Sequence, residues 1–296
     1  MKKRCLLSIL LSIFSLCSLF SEESGKLFLW HIETDKAEAW LTGSIHILKE
    51  DFYPLPEIIE MSYTEAEYLV VEVDTISSDN QKIILKLFRE KGFLRDGSTL
   101  FDILSPEQAA LLTDCIENLD LNPEMFRYYR PWLMSMIIPV YQMMSAGYSE
   151  DLGMDVRFIN KAKEDGKAVL ELETAEYQIS LLSDLDNDLQ IEMLMDAVDT
   201  EETGTAYIEK MEQCWKSGDT ETLNNILNTG FEGEHGDYLY DIMIRRRNIQ
   251  MAKKIDSLLI KGGKYFIIVG AGHFTGNDSI ISLLEKENYT VEQVSR

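Results

Sequence analysis

The chain has 296 residues, of which 45% are hydrophobic, so it is long enough to bury one large core. Its 28 Lys and Arg residues are outnumbered by 51 Asp and Glu residues, which gives a formal net charge of −23. A surface this acidic repels phosphate backbones and excludes nucleic acid as a partner. The acidic residues recur through helical stretches such as residues 183–203, so they indicate solvated helix faces.

The first residues have the layout of a secretory signal peptide. A basic segment, residues 1–4, precedes an uncharged apolar stretch from Cys5 to Phe20, and a polar segment follows. This predicts a leader over residues 1–21, export to the periplasm or the cell exterior, and no stable transmembrane span once the leader is removed. Lipid attachment at Cys17 is the open alternative, although Leu16, not a small residue, precedes it.

The elements after the leader predict an α/β fold. Two β-like runs, Lys26–Ile32 and Glu38–Thr42, flank a turn-prone segment and predict a hairpin. A short helix at Glu57–Tyr63, preceded by prolines, leads to the nearly continuous apolar strand Tyr68–Asp74. Strand, helix and strand in this order indicate a parallel crossover.

The rest of the chain alternates helical stretches with strands. Helical patterns dominate residues 80–160 and 175–256, and a strand at Ala168–Glu173 separates these two parts of a large helical insertion. The chain closes with strand Tyr265–Val269, a helix, and strand Thr290–Val294. This order predicts a second strand–helix–strand unit.

A Gly-x-x-His pattern occurs twice, as Gly43–His46 and Gly270–His273, in a chain with only four histidines. Each copy follows a predicted strand, so each histidine should leave the carboxyl end of that strand, where ligands of open α/β sheets bind. Three glycines would let the backbone turn tightly there and leave room close to a ligand. They are Gly43, Gly270 and Gly272.

Two imidazoles brought together at one sheet edge suit a divalent metal ion, so His46 and His273 are the predicted metal ligands. A single metal site requires one histidine from each motif, and no low-complexity linker divides the chain. We therefore expect residues 22–296 to form a single domain. Its mixed, largely parallel sheet would be built from the N- and C-terminal parts, with the helical insertion between them.

A carboxylate in the third predicted strand strengthens the metal prediction. Glu72 lies in the apolar run Leu69–Val73, where an ionised carboxylate is costly unless it is paired, protonated or bound to metal. Strand alternation puts Asp74 on the same face, so Asp74 could extend the site. Two histidines and one carboxylate are typical of open hydrolytic metal sites. The alternative is a Glu72 at a polar sheet edge, paired with an arginine.

These motifs and their order resemble the TraB/GumN family, which includes the TraB and PrgY pheromone-shutdown proteins and the animal TIKI metalloproteases. The resemblance runs from about Leu27 to Val294. Its segments are Leu41–His46, Leu69–Asp74, Arg130–Trp132, Gly153–Asp155, Glu171–Thr174 with Gln178, Arg247–Asn248 and Val269–His273.

The resemblance implies a divalent-metal site formed by His46, His273 and Glu72, with manganese or cobalt as in the TIKI branch and zinc or iron as further possibilities. It also implies an α/β fold shared in outline with erythromycin esterase-like and haem-uptake ChaN-like proteins. The predicted function is an exported metal-dependent hydrolase that acts on a peptide or small-molecule substrate, and the resemblance to the TIKI proteins implies peptidase activity as one form of it. The alternatives are a non-catalytic protein that sequesters a peptide signal, and a fold in which the three residues form a structural hydrogen-bond network.

Five further polar residues are candidates for supporting roles. Arg247, predicted to be catalytic, could hold Glu72, a substrate carboxylate or a tetrahedral oxyanion. Glu173 and Gln178, at a strand end and the next helix, could line the site or cap that helix. Asn248 matches the recurring Arg-Asn pair of the family and would support the site. Asp155 is predicted to cap a helix.

The remaining histidines and cysteines have no partner motif. His31 lies in a strand of the predicted hairpin and is expected to pack there, whereas His235 lies in a glycine-bearing loop. Cys115 and Cys214 could form one disulfide in an exported protein, or could be two separately buried thiols.

Overall fold

The computed structural model of the chain describes residues 25–198 and 204–296. Its centre is one sheet of six strands: β1 (Lys26–Glu33), β2 (Ala37–Ser44), β3 (Tyr68–Val71), β4 (Ala168–Glu171), β5 (Gly263–Gly270) and β6 (Glu292–Ser295). The order across the sheet is β4, β3, β5, β2, β1, β6. The predicted leader, including Cys17, lies outside the described residues.

Helices fill the intervals between the strands. Helix α1 (Glu57–Glu65) joins β2 to β3. Between β3 and β4 lie α2 (Ser78–Lys91), α3 (Leu100–Ile103), α4 (Pro106–Asn118), α5 (Pro131–Ser145) and α6 (Met154–Asp165). Between β4 and β5 lie α7 (Ala175–Ser183), α8 (Asn187–Val198), α9 (Gly204–Ser217), α10 (Thr220–Asn228), α11 (Gly236–Tyr240) and α12 (Arg246–Lys261), the last two joined by a π-helical turn. Helix α13 (Ile280–Lys286) precedes β6.

The sheet confirms the predicted α/β architecture. Strands β4, β3, β5 and β2 run parallel, and β1 runs antiparallel to both of its neighbours, β2 and β6. The hairpin is also confirmed, with Leu29 opposite Thr42. The N- and C-terminal parts of the chain supply five of the six described strands, and β4 comes from between the two helical stretches of the insertion. No helix within the described ranges has the length and apolar character that crossing a membrane requires.

The positions of β5 and β6 follow from their composition. The segment Tyr265–Val269 is apolar throughout and fully buried, so β5 takes a central position between β2 and β3. The polar strand β6 is half exposed and pairs with β1 at the edge of the sheet. Strands β5 and β6 are therefore parallel, as the predicted strand–helix–strand unit requires, but β2 and β1 lie between them.

Part of the insertion has a core of its own. Helices α3 and α4 each begin with a capping box, formed by Thr99 with Asp102 and by Ser105 with Gln108. Their apolar faces pack with those of α5 and α8, around Met134 on α5.

The four parallel strands end at one edge of the sheet. Each is followed by a polar residue singled out from the sequence: His46 after β2, Glu72 after β3, Glu173 after β4 and His273 after β5. The sequence predicted a strand over Tyr68–Asp74, with Glu72 inside it. Strand β3 ends at Val71, so Glu72 lies just beyond the strand. Because β5 lies between β2 and β3, residues from both flanking strands reach the end of β5.

Candidate metal centre

Glu72 occupies the middle of this edge. Its Oε1 accepts a hydrogen bond from the Gly270 amide at 2.6 Å, and its Oε2 accepts from Arg247 Nη2 at 2.6 Å and Gln178 Nε2 at 2.9 Å. Burial acts to raise the pKa of Glu72, but His273, Arg247 and the other groups around it lower that pKa to about 2. Glu72 is therefore an ionised carboxylate at neutral pH.

Arg247 joins two buried carboxylates. Its Nε lies 2.9 Å from Glu173 Oε1, and its Nη2 lies 2.7 Å from Glu173 Oε2 in addition to its contact with Glu72. Gln178 Nε2 donates to both carboxylates at 2.9 Å, and Arg247 Nη1 donates to the carbonyl of Met243 at 3.2 Å. Of the roles open to Arg247 from the sequence, the structure places it against Glu72, with most of its N–H groups engaged by protein.

His273 is buried and has a defined tautomer. Its Nδ1 lies 2.6 Å from Asn248 Oδ1, and Asn248 Nδ2 donates to the carbonyl of Asp278 at 2.8 Å, which fixes the orientation of the amide. Because Asn248 Oδ1 can only accept, His273 Nδ1 carries the proton and Nε2 keeps its lone pair. Burial lowers the pKa of His273 to about 4, so the ring is neutral at pH 7.

Two acceptor atoms therefore face each other across the site. His273 Nε2 lies 3.7 Å from Glu72 Oε1, and neither atom carries a hydrogen at neutral pH. Two lone pairs at this distance repel each other in a buried environment. A cation between them would be bound by both lone pairs, which would remove this repulsion.

His46 approaches the same position from the solvent side. Its side chain is 63% exposed, and its Nδ1 lies 3.1 Å from Asp155 Oδ1. The negative charge of Asp155 raises the pKa of His46. With Nδ1 turned toward Asp155, the other ring nitrogen faces the end of β5.

Gly270 marks the point on which the three groups converge. A Cβ atom built on Gly270 would lie 3.2 Å from Glu72 Oε1, 3.5 Å from His46 Nε2 and 3.5 Å from His273 Cδ2. The missing side chain thus leaves a space that these groups surround. They do not close around it, since no set of three or more His, Cys, Asp and Glu side chains within residues 25–198 and 204–296 has the arrangement of a metal site. The donor types fit a divalent ion, and ligation at about 2.0–2.2 Å would need a small inward movement.

The other two glycines have different surroundings. A side chain on Gly43 would overlap the ring of Phe28 and the backbone of Ala271, so this glycine permits close packing between β2 and the turn after β5. A Cβ on Gly272 would meet Leu227 Cδ1 at 3.3 Å. Neither of these two glycines borders the space above Gly270.

Several other candidate residues lie away from the convergence point. Asp74 contacts Lys163 Nζ at 3.4 Å and accepts from the amide of Ile76, so it does not extend the site. The remaining His and Cys residues are accounted for locally. His31 stacks on Trp40, with ring centroids 4.1 Å apart; His235 Nδ1 lies 2.7 Å from Glu192 Oε2; and Cys115 and Cys214 are free thiols.

The sequence assigned Asp155 only a helix-capping role, and this prediction is wrong, because Gly153 precedes α6 without a side-chain cap and Asp155 instead contacts His46. A carboxylate in the first turn of a helix has the signature of a cap, and the sequence carries no signal that pairs residue 155 with residue 46. The contact exists because α6 folds back onto the loop after β2.

Comparison with known proteins identifies the group to which this arrangement belongs. The model of the TraB/PrgY/gumN family matches residues 28–293, which include His46, Glu72 and His273. The chain belongs to the TraB/PrgY/gumN family.

Relatives of this TraB/PrgY/gumN protein include the uncharacterized protein YbaP of Escherichia coli (strain K12), which is 27% identical over 82% of this chain and 86% of YbaP. An uncharacterized protein of Treponema pallidum (strain Nichols) is 21% identical over 87% of this chain and 80% of its own length. Metalloprotease TIKI2 of Danio rerio is 40% identical over 57 residues, which are 19% of this chain and 11% of TIKI2.

No solved structure matches the chain. The outline expected to be shared with erythromycin esterase-like and ChaN-like proteins therefore stays a prediction.

Proposed function

We propose that this chain is a divalent-metal-dependent hydrolase in which Glu72, His273 and His46 hold the metal ion. The observation that carries the proposal is the pair Glu72 Oε1 and His273 Nε2, two acceptors without a hydrogen, 3.7 Å apart. A structural hydrogen-bond network would place a donor between them, whereas a metal site requires two lone pairs aimed at one space.

Charge within the cluster supports the same proposal. Glu72 and Glu173 are both buried, and a single guanidinium, that of Arg247, lies between them. His273 adds no positive charge at neutral pH because its pKa is lowered to about 4. The buried groups therefore carry one excess negative charge, which a divalent cation would offset.

Three protein ligands would leave coordination positions open on the exposed side, where His46 borders solvent. When bound, a divalent ion supplies Lewis acidity and lowers the pKa of water. Glu72 is a poor general base because its pKa is lowered to about 2 and its Oε2 is held by Arg247 and Gln178. Its role is to present Oε1, and Arg247 fixes the orientation of that oxygen.

Peptide hydrolysis is the activity we propose within this class. The local similarity to Metalloprotease TIKI2 of Danio rerio and to the Metalloprotease TIKI homolog of Amphimedon queenslandica supports it. The proposed site of action is outside the cytoplasm, because the first residues have the layout of a signal peptide.

Metal titration tests the ligand set. Metal-free protein is titrated with Co²⁺ and Mn²⁺, alongside His46→Ala, His273→Ala and Glu72→Gln. His31→Ala and His235→Ala are matched controls because both histidines lie away from the site. We expect one equivalent of metal in the wild type and the controls, and at least about a tenfold weaker affinity in the three site variants. Folded His46→Ala and His273→Ala proteins with wild-type affinity would overturn the proposal.

Activity is tested separately with a peptide library, by mass spectrometry, with and without added metal. Metal-dependent cleavage products that vanish in His273→Ala support the hydrolase. Peptides that are retained intact by the metal-loaded protein support the alternative, a protein that sequesters a peptide without turnover.

A further inference from the structure

The helical insertion delivers a carboxylate to the most exposed of the three proposed ligands. Asp155, in the first turn of α6, places Oδ1 3.1 Å from His46 Nδ1. The Asp155 side chain is only 17% exposed. Its Oδ1 is buried and has no hydrogen-bond partner in the described part of the chain. A buried carboxylate oxygen is costly without a donor, and the imidazole N–H beside it is the donor it can gain through a small ring rotation.

The contact is held by backbone, not by two flexible side chains. The amide of Met154 donates to the carbonyl of Ile45 at 3.1 Å. Leu48 and Ser149 exchange two further backbone hydrogen bonds, at 3.2 and 2.9 Å. These bonds join the loop that carries His46 to the segment that leads into α6.

Gly153 completes this connection. A Cβ atom at this position would overlap the carbonyl of His46, so only glycine allows the two segments to approach so closely. Asp155 is two residues further along, and the fixed backbone sets its position relative to the imidazole.

We infer that Asp155 is a positioning residue. It holds the His46 ring with the Nδ1 proton directed at Asp155 Oδ1 and the Nε2 lone pair directed at the space above Gly270. Asn248 has the corresponding position at His273, where its Oδ1 contacts the Nδ1 atom. A ligand imidazole whose second nitrogen is fixed in this way has a defined tautomer and orientation. This inference rests on the proposed metal site and adds to it a residue supplied by the insertion.

The first test compares Co²⁺ affinity and the visible absorption spectrum of bound Co²⁺ in Asp155→Ala and Asp155→Asn. Asp151→Ala is the matched control, since it removes an exposed carboxylate from the same segment. We expect Asp155→Ala to bind Co²⁺ about 10–100-fold more weakly than the control. Asp155→Asn should recover part of this loss, because its Oδ1 can still accept from Nδ1 as Asn248 does. Equal losses in the two variants would indicate a role for the charge alone and would overturn the inference.

The second test needs no metal. Long-range ¹H–¹⁵N spectra of the metal-free protein at about pH 10, where imidazole is mostly neutral, report which ring nitrogen of His46 carries the proton. We expect the Nδ1–H form in the wild type and the Nε2–H form in Asp155→Ala, with the His46 signals assigned through His46→Ala. The same tautomer in both proteins overturns the inference.

The two proposals fail in different ways. If the wild type binds Co²⁺ and His46→Ala does not, but Asp155→Ala equals the Asp151→Ala control, the metal site stands and the role of Asp155 is wrong. If the wild type binds no metal, the proposed function is wrong and the ligand role of His46 falls with it. The tautomer spectra then decide whether Asp155 orients the ring at all.

Discussion

Arg247 Nη2 lies 2.6 Å from Glu72 Oε2 and 2.7 Å from Glu173 Oε2, so one guanidinium joins the ends of β3 and β4 to helix α12. The sequence positions of Arg247 and Glu72 are 175 residues apart. This link fixes Glu72 on its Oε2 side and leaves Oε1 as the oxygen that faces His273. The support for the proposed metal ligand thus comes from the helical insertion, while the ligand itself comes from the sheet.

Replacing Arg247 with Met should destabilise the fold strongly. The change leaves two buried carboxylates without their cation, which typically costs about 3–5 kcal/mol. Urea unfolding of metal-free protein measures this loss. Arg246→Met is the matched control, because Arg246 is 62% exposed and pairs with Asp241 at the surface. The double variant Arg247→Met/Glu173→Gln should be more stable than Arg247→Met alone. A single variant as stable as the wild type would contradict the assignment of Arg247 as the structural cation.

Gly270→Ala should weaken metal binding without unfolding the protein. The new methyl group would lie 3.2 Å from Glu72 Oε1 and 3.5 Å from His46 Nε2, in the space proposed for the ion. The backbone angles of Gly270, φ −48 and ψ 135, are accessible to alanine. We expect at least about a tenfold weaker Co²⁺ affinity by calorimetry, as in the three ligand variants. Gly272→Ala should bind normally, since its Cβ would face Leu227. Wild-type affinity in Gly270→Ala would place the ion elsewhere.

The sheet and its edge were predictable because they depend on local pattern. Apolar runs with β-branched residues specify strands, and the glycines after β2 and β5 mark where those strands end. Parallel strands share their carboxyl edge, so His46, Glu72 and His273 were expected near one another. The uniformly apolar β5 also indicates a central position in the sheet.

The contacts made by the insertion could not be read from the sequence. Asp155 reaches His46, and Arg247 reaches Glu173, only after α6 and α12 have packed against the sheet. Helical periodicity shows which face of a helix is apolar, but it does not show which loop the first turn of that helix will meet. The boundary of β3 was misplaced for a related reason, because the apolar run continues past the last paired residue, Val71.

Asn248→Leu should weaken metal binding through His273. The variant removes the acceptor for Nδ1–H and the donor to the Asp278 carbonyl, so the ring loses its fixed tautomer. Loss of such a supporting group typically costs 10–100-fold in metal affinity. Two buried polar groups are also left unpaired, so the free energy of unfolding should fall by about 1–3 kcal/mol. Asn248→Asp, which keeps the acceptor, should retain more affinity than Asn248→Leu; equal affinities would show that the amide does not orient His273.

Glu212 on α9 should make stability depend on pH independently of the metal centre. This residue is 9% exposed, and its Oε1 has no hydrogen-bond partner among the described residues. Burial raises the pKa of Glu212. The negative charges of Asp51 and Glu209 raise it further, and the positive charges of two nearby lysines do not cancel this rise. Those lysines are Lys49 and Lys216.

The sign of the effect follows from proton binding. Because the pKa of Glu212 is higher in the folded chain than in the unfolded chain, the folded chain holds more protons between the two values. The free energy of unfolding therefore falls as pH rises through that interval. Glu212→Gln removes this ionisation and should stabilise the protein by about 1 kcal/mol at pH 8, with little gain at about pH 4. Urea unfolding in the presence of a chelator measures both values. Glu209→Gln, an exposed change on the same helix, should show a smaller difference of the same sign, because it removes only one of the charges that raise the pKa of Glu212. An equal gain at both pH values in Glu212→Gln would refute the role of Glu212 ionisation.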